Sequence, residues 1–160
     1  IPVDQPQARL RRCDVQLCGD AMKSGRCMCG AVTVSAAKLG DKMNACHCDM
    51  CRRWTGSAFV AVLGTADDTT FDGPVKTVSL SEWAERGWCD ACGSTLFYRL
   101  KHDGSYGIAA GLFDDAAGQT LNIEYYVDRK PAGFAYAGDH KRMTEAETLA
   151  YFGITQGEMP

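Results

Sequence analysis

Sulfur carries most of the chemistry this sequence can do. Seven of its nine cysteines fall into three short groups: Cys27-Met28-Cys29, Cys46-His47-Cys48-Asp49-Met50-Cys51 and Cys89-Asp90-Ala91-Cys92. Neighbours one or two residues apart do not bridge easily at relaxed disulfide geometry, whereas they readily aim two sulfurs at one ion roughly 2.3 Å away. An odd total also argues against a secreted disulfide framework. All-thiolate sites with C-x2-C spacing favour zinc, with iron–sulfur second. Zinc takes four protein ligands where it is structural, and three plus an open position where it is catalytic. Seven thiolates divide as four and three. The count therefore predicts one closed site and one that keeps a coordination place for water or substrate.

Two divisions fit the spacing. In one, Cys27, Cys29, Cys89 and Cys92 close the structural site and Cys46, Cys48 and Cys51 hold the open ion. In the other, the pairs Cys48/Cys51 and Cys89/Cys92 form a ribbon-like site, leaving Cys27, Cys29 and Cys46. The first keeps three ligands within six residues of one loop, a low-entropy arrangement, and is preferred on that ground without being proved. His47, flanked by ligands on both sides, is expected to point away from the ion. Arg53 joins Cys46, Cys48 and Cys51 as a catalytic candidate. Arg52 and Trp54 are the expected contacts for a bound cosubstrate. A guanidinium beside such a site can grip a carboxylate bidentately or offset the charge of the sulfur cluster. Trp83 and Trp88 read as core. Asp114-Asp115 read as turn carboxylates and Lys141-Arg142 as solvent-facing charge. Three histidines leave little scope for imidazole chemistry, and neither a phosphate loop nor a Ser/His/Asp arrangement stands out.

The elements that must position these groups are mostly short strands. The chain has 160 residues, room for about one domain. At 46% apolar it can bury a core. Strands are expected at Ala31–Ser35, at Ala58–Leu63, and on either side of Asp72-Gly73-Pro74, a hairpin or tight turn. Thr95–Leu100 and Tyr106–Leu112 flank His102-Asp103-Gly104-Ser105, the strongest hairpin signal. Gln119–Val127 is a further strand. One late helix is expected, with Thr144 and Glu147 as a capping box and Gly153 as its stop. Residues 1–21 read as an N-terminal extension ahead of a native start at Met22, with Cys13 and Cys18 as incidental thiols; residues 22–160 read as one zinc domain. The net charge of −3 and an isoelectric point near 5.6 lack the basic footprint of a nucleic-acid binder. No apolar run is long enough to span a membrane, and none of signal-peptide type opens the chain. Clustered unpaired thiolates fit a reducing, cytoplasmic setting.

Three segments carry a resemblance. Gly25-Arg26-Cys27-Met28-Cys29-Gly30-Ala31-Val32, Cys46-His47-Cys48-Asp49-Met50-Cys51-Arg52-Arg53-Trp54-Thr55-Gly56 and Trp88-Cys89-Asp90-Ala91-Cys92-Gly93-Ser94 are similar to the signature of the glutathione-dependent formaldehyde-activating (GFA) family, which shares its domain with centromere protein V. Ala110-Gly111-Leu112-Phe113-Asp114-Asp115 also resembles a family segment, and the likeness runs from about Ser24 to Val127. The resemblance implies a mainly β, Mss4-like zinc-stabilised fold with two zinc ions. It selects the first division: Cys27, Cys29, Cys89 and Cys92 for the structural ion, and Cys46, Cys48 and Cys51 for the catalytic one. It implies a carbon–sulfur lyase resembling S-(hydroxymethyl)glutathione synthase, with a small thiol such as glutathione and a small aldehyde as partners. The family often carries Pro-Trp near the end of the domain, where this chain has Lys130-Pro131-Ala132-Gly133-Phe134. The rival readings are a zinc-stabilised binding module without catalysis and the same site acting on another thiol adduct.

Overall fold

A computed structural model describes residues 22–154. The extension at 1–21, with Cys13 and Cys18, lies outside the described residues. Among those described, eleven strands form two sheets. A small antiparallel sheet has the order β1-β2-β5, from β1 (Lys23–Arg26), β2 (Thr33–Ala36) and β5 (Thr69–Asp72). The large sheet has the order β11-β10-β3-β4-β9-β8-β7-β6. Its strands are β3 (Leu39–Cys46), β4 (Phe59–Gly64), β6 (Val75–Val78), β7 (Ala84–Cys89), β8 (Thr95–Leu100), β9 (Tyr106–Ala109), β10 (Thr120–Tyr125) and β11 (Lys141–Met143). All its pairings are antiparallel except those of β10 with β3 and β11. The mainly β class is as expected.

The apolar run of β4 matches its central place between β3 and β9. The hairpin expected between residues 100 and 106 is present as β8–β9. The Asp72-Gly73-Pro74 segment is a tight turn and not a hairpin, because β5 pairs with β2 while β6 pairs with β7. Gly73 turns there at φ +116°, and a Cβ would collide with the Ala31 carbonyl oxygen. The strand expected to run to Leu112 stops at Ala109 and tightens into a 3-10 turn, Ala110–Leu112.

Among the described residues there are two α-helices where the sequence suggested one. The late helix, α2 (Glu145–Phe152), has the expected ends: the Thr144 hydroxyl accepts from the Glu147 N–H, the Glu147 carboxylate accepts from the Thr144 N–H at 2.8 Å, and Gly153 closes it at φ 66°. The other, α1 (Asp49–Thr55), falls within the segment read as a metal-binding loop. The main core gathers Val32, Val34, Val62, Leu96, Phe97, Ile108, Leu112 and Phe113 with Cys27 and Cys89. A smaller cluster of Cys51, Phe59 and Ala61, with Trp54 and Tyr98 packed on it, underlies α1.

Candidate metal centres and the adjoining cavity

Two turns bring the first four sulfurs together. Each is a cysteine pair followed by a glycine in the left-handed region, Gly30 at φ 78° and Gly93 at φ 74°. In the first turn the Gly30 N–H donates to the Cys27 carbonyl and the Val32 N–H to the Cys27 sulfur. In the second the Gly93 N–H donates to the Cys89 carbonyl and the Cys89 N–H to that of Ser94. The Met28 N–H donates to Ser94 Oγ at 3.1 Å, tying one turn to the other. The ligand sulfurs of Cys27, Cys29, Cys89 and Cys92 all lie within 4.8 Å of one another. Cys27 and Cys29 are 3.6 Å apart, and Cys29 and Cys89 4.0 Å. Tetrahedral zinc–thiolate geometry calls for about 3.8 Å between sulfurs, so the set fits such an ion. The Ser94 hydroxyl, 3.1 Å from the Cys92 sulfur, draws that thiol down to about 6 and favours its ligating form.

The other three sulfurs sit where a strand becomes a helix. Cys46 ends β3, Cys48 is the N-cap of α1 and Cys51 lies in its first turn. Their sulfurs also lie within 4.8 Å of one another. The expectation that the three cysteines share a loop is thus corrected: they ride on a strand end and a helix start. Hydrogen bonding with the Cys46 and Cys51 thiols, aided by the Arg86 guanidinium, holds Cys48 far below the ordinary thiol value, while Cys46 is raised in turn, chiefly by Cys48. Cys51 is raised as well, to about 12: its hydrogen bond with Cys46 lowers it, but Cys48 and burial outweigh that bond. Negative charge is therefore favoured on Cys48 and disfavoured on the other two. Among the described residues each group of sulfurs is free of disulfides. The structure gathers the four-plus-three division that spacing preferred, and His47 is in neither group.

His47 turns inward instead. It is fully buried, its backbone N–H donates to the Tyr125 carbonyl, and Nε2 donates to Glu124 Oε2 at 2.7 Å. Glu124, on β10 and 1% exposed, also pairs with His140 and with Arg142 Nε at 3.3 Å. A buried carboxylate thus braces from behind the residue between Cys46 and Cys48. Burial raises the Glu124 carboxyl, but hydrogen bonds from His140 and His47 outweigh it and leave the group below its ordinary value.

Arg52 donates from Nε to the His47 carbonyl and from Nη2 to Asp49 Oδ1 at 2.6 Å. Arg53 is exposed and lies 3.6 Å from Asp49. Both line a cavity of about 210 Å³ with Gly56, Ser57, Pro131 and Phe134. Trp54 does not line it: its ring packs on Phe59 at 5.1 Å and under the Arg86 guanidinium at 5.5 Å. Asp114 and Asp115 are exposed at the start of a left-handed turn, and Lys141 and Arg142 are largely exposed. Sequence reasoning missed Arg86, Glu124, His140 and Phe134. Arg86 left one trace, an arginine inside a strand that otherwise buries small and apolar residues on the same positions.

The family model for the glutathione-dependent formaldehyde-activating enzyme matches residues 22–129. A Schizosaccharomyces pombe protein described as an uncharacterized lyase is 30% identical over 127 residues, spanning 78% of this chain and 93% of the relative. A crystal structure of a Rhodobacter sphaeroides protein aligns at 20% identity and a TM-score of 0.49, over 62% of this chain and 99% of that one. The family match takes in both groups of sulfurs, and the fission-yeast relative is matched over nearly its whole length. On these grounds the chain belongs to the glutathione-dependent formaldehyde-activating enzyme family.

Proposed function

We propose that this protein is a zinc-dependent carbon–sulfur lyase that joins a small thiol, glutathione by family analogy, to formaldehyde or a related electrophile. The observation that carries the reading is the pairing of a closed four-sulfur cluster with a three-sulfur triad. Zinc held by Cys46, Cys48 and Cys51 would supply a fourth position at which a thiol loses its proton near neutral pH. The protein's own residues do the rest. Arg53 receives a substrate carboxylate at the rim of the cavity, and Arg52, fixed by Asp49 and the His47 carbonyl, is the second cation there. Phe134 and Pro131 cover the apolar part of the thiol and exclude water. Phe134 stands in the segment where the family often has Pro-Trp. The reaction forms one carbon–sulfur bond, moves the carbonyl π pair onto oxygen and returns the thiol proton there. The reverse reaction breaks the adduct. Cys27, Cys29, Cys89 and Cys92 hold the structural ion. A reducing, cytoplasmic setting belongs to the same proposal. Among the described residues no helix is long and apolar enough to cross a membrane.

The test is kinetic. Protein with measured zinc content should accelerate formation and breakdown of the hydroxymethyl thioether, with glutathione among several thiols, above the spontaneous rate. No acceleration with any thiol would leave the chain a zinc-stabilised binding module.

A further inference from the structure

Arg86 is a buried charge that the proposed chemistry does not use. It is 4% exposed, on β7, with its guanidinium 5.5 Å from the Trp54 ring centre and 5.3 Å from that of Tyr98. Its Nη2 lies 4.0 Å from the Met50 sulfur, while Nε and Nη1 are buried without a hydrogen-bond partner. Among the described residues no carboxylate pairs with it; the adjacent Glu85 pairs with Arg99. Guanidinium groups keep their charge inside proteins, and aromatic faces offset only part of the cost of burying one. A compensating anion is therefore required nearby.

The packing says where. Met50 and Trp54 both belong to α1, the helix that carries Cys51, and Tyr98 packs on the same small cluster as Cys46, Cys48 and Cys51. Three thiolates around a divalent ion leave one net negative charge, which one guanidinium cancels. We propose that Arg86 is the built-in counter-cation of the Cys46–Cys48–Cys51 site, a positioning residue whose burial is offset by the net negative charge those three sulfurs carry around a divalent ion. Ion binding and burial of Arg86 then stabilise each other. The closed cluster has less need of such a partner, because Cys29 is exposed and water can solvate its charge. The inference rests on the reading that the triad holds an ion, and not on the identity of the substrate.

The experiment compares wild type, R86M and R86K for zinc stoichiometry and for affinity in competition with a chromophoric chelator. R86M should bind zinc at the triad roughly ten- to a hundredfold more weakly, the scale seen when outer partners of a metal site are removed, while keeping the closed-site ion. R86K should lose clearly less than R86M, because it keeps the charge while giving up the guanidinium plane that stacks on Trp54 and Tyr98. Melting adds a readout independent of affinity. R86M should lower the melting temperature of the zinc-loaded protein, but not that of a C48S protein, whose triad cannot hold the ion. Unchanged affinity in R86M, equal losses in R86M and R86K, or equal melting losses with and without Cys48 would each overturn the proposal. If R86M does not fold, R86Q replaces it; failure of R86Q and R86K alike assigns Arg86 to the core and also overturns it. A wild-type chain that takes up a single ion sinks the two-site reading together with this inference. A two-ion wild type with an unaltered R86M sinks this inference alone.

Discussion

Glu124 takes a carboxylate into the interior and surrounds it with His47, His140 and Arg142. Because His47 lies between Cys46 and Cys48, this bracing reaches the triad through one peptide on either side. Replacing Glu124 by Gln keeps the volume and gives up the charge, leaving a buried imidazole N–H poorly matched. The expected loss is about 2 kcal/mol in denaturant unfolding of the loaded protein. The pH dependence has a definite sign. The folded carboxyl lies below its ordinary value of 4.5, so its contribution is complete above that value and fades as pH falls through the folded one. The stability difference between wild type and E124Q should therefore be constant near neutrality and shrink in acid. A difference that grows in acid would show that the pairing does not hold the carboxylate ionised. Arg53 presents the complementary case, an exposed cation whose role is contact. R53A should raise KM for an anionic thiol about tenfold with kcat within about twofold, and leave a neutral thiol unaffected.

At the scale of elements, the strand β7 and the helix α1 deliver most of the site. β7 carries Arg86 and Cys89 with Gly87 between them, and a Cβ on Gly87 would overlap the Phe97 ring in the main core. G87A should destabilise by about 2 kcal/mol through overpacking, measured by chemical unfolding. A loss below a few tenths would mean that Phe97 can swing aside. T144A should cost about 1 kcal/mol by removing the cap of α2, without changing metal content. That cap was legible because a capping box is local, with Thr144, Glu147 and Gly153 all within ten residues. The β8–β9 hairpin and the apolar run of β4 were legible for the same reason. β3 was not: Gly40, Asp41, Lys42 and Asn44 give it no apolar alternation, and it is a strand because β4 and β10 pair with it on both sides. α1 is only seven residues long and starts at its N-cap Cys48, so its pattern was masked by the cysteine motif. Spacing, being local, marked out the three short runs of cysteine but left two ways of dividing them; that Cys27 and Cys29 meet Cys89 and Cys92 is decided by the fold. Arg86 and Glu124 could not, since each meets the site across long sequence separations, from strands whose neighbours only the fold decides.

The whole molecule places its two sulfur groups on cores of unequal size, and this predicts unequal consequences of losing them. Cys27 and Cys89 are part of the main core, which joins the small sheet to the large one, so an ion there would cross-link the turns that follow β1 and β7. An ion at the triad would join only the end of β3 to α1, over the smaller cluster. Structural zinc contributes folding free energy directly, and a chain of this kind has only about 5–15 kcal/mol of net stability. C92S should therefore lose one zinc equivalent, melt far below wild type and show a far-UV spectrum depleted in strand signal. C48S should also lose one equivalent, yet retain its spectrum and most of its melting temperature while losing all thioether-forming activity. Graded chelation of wild type should reproduce the order. The first equivalent removed should abolish activity with the fold intact, because a site with three protein ligands releases its ion more readily than one closed by four. The second should coincide with unfolding. Equal melting losses in C48S and C92S, or a single chelation step in which activity and fold disappear together, would make both groups structural and leave the triad without the open position on which the lyase chemistry depends.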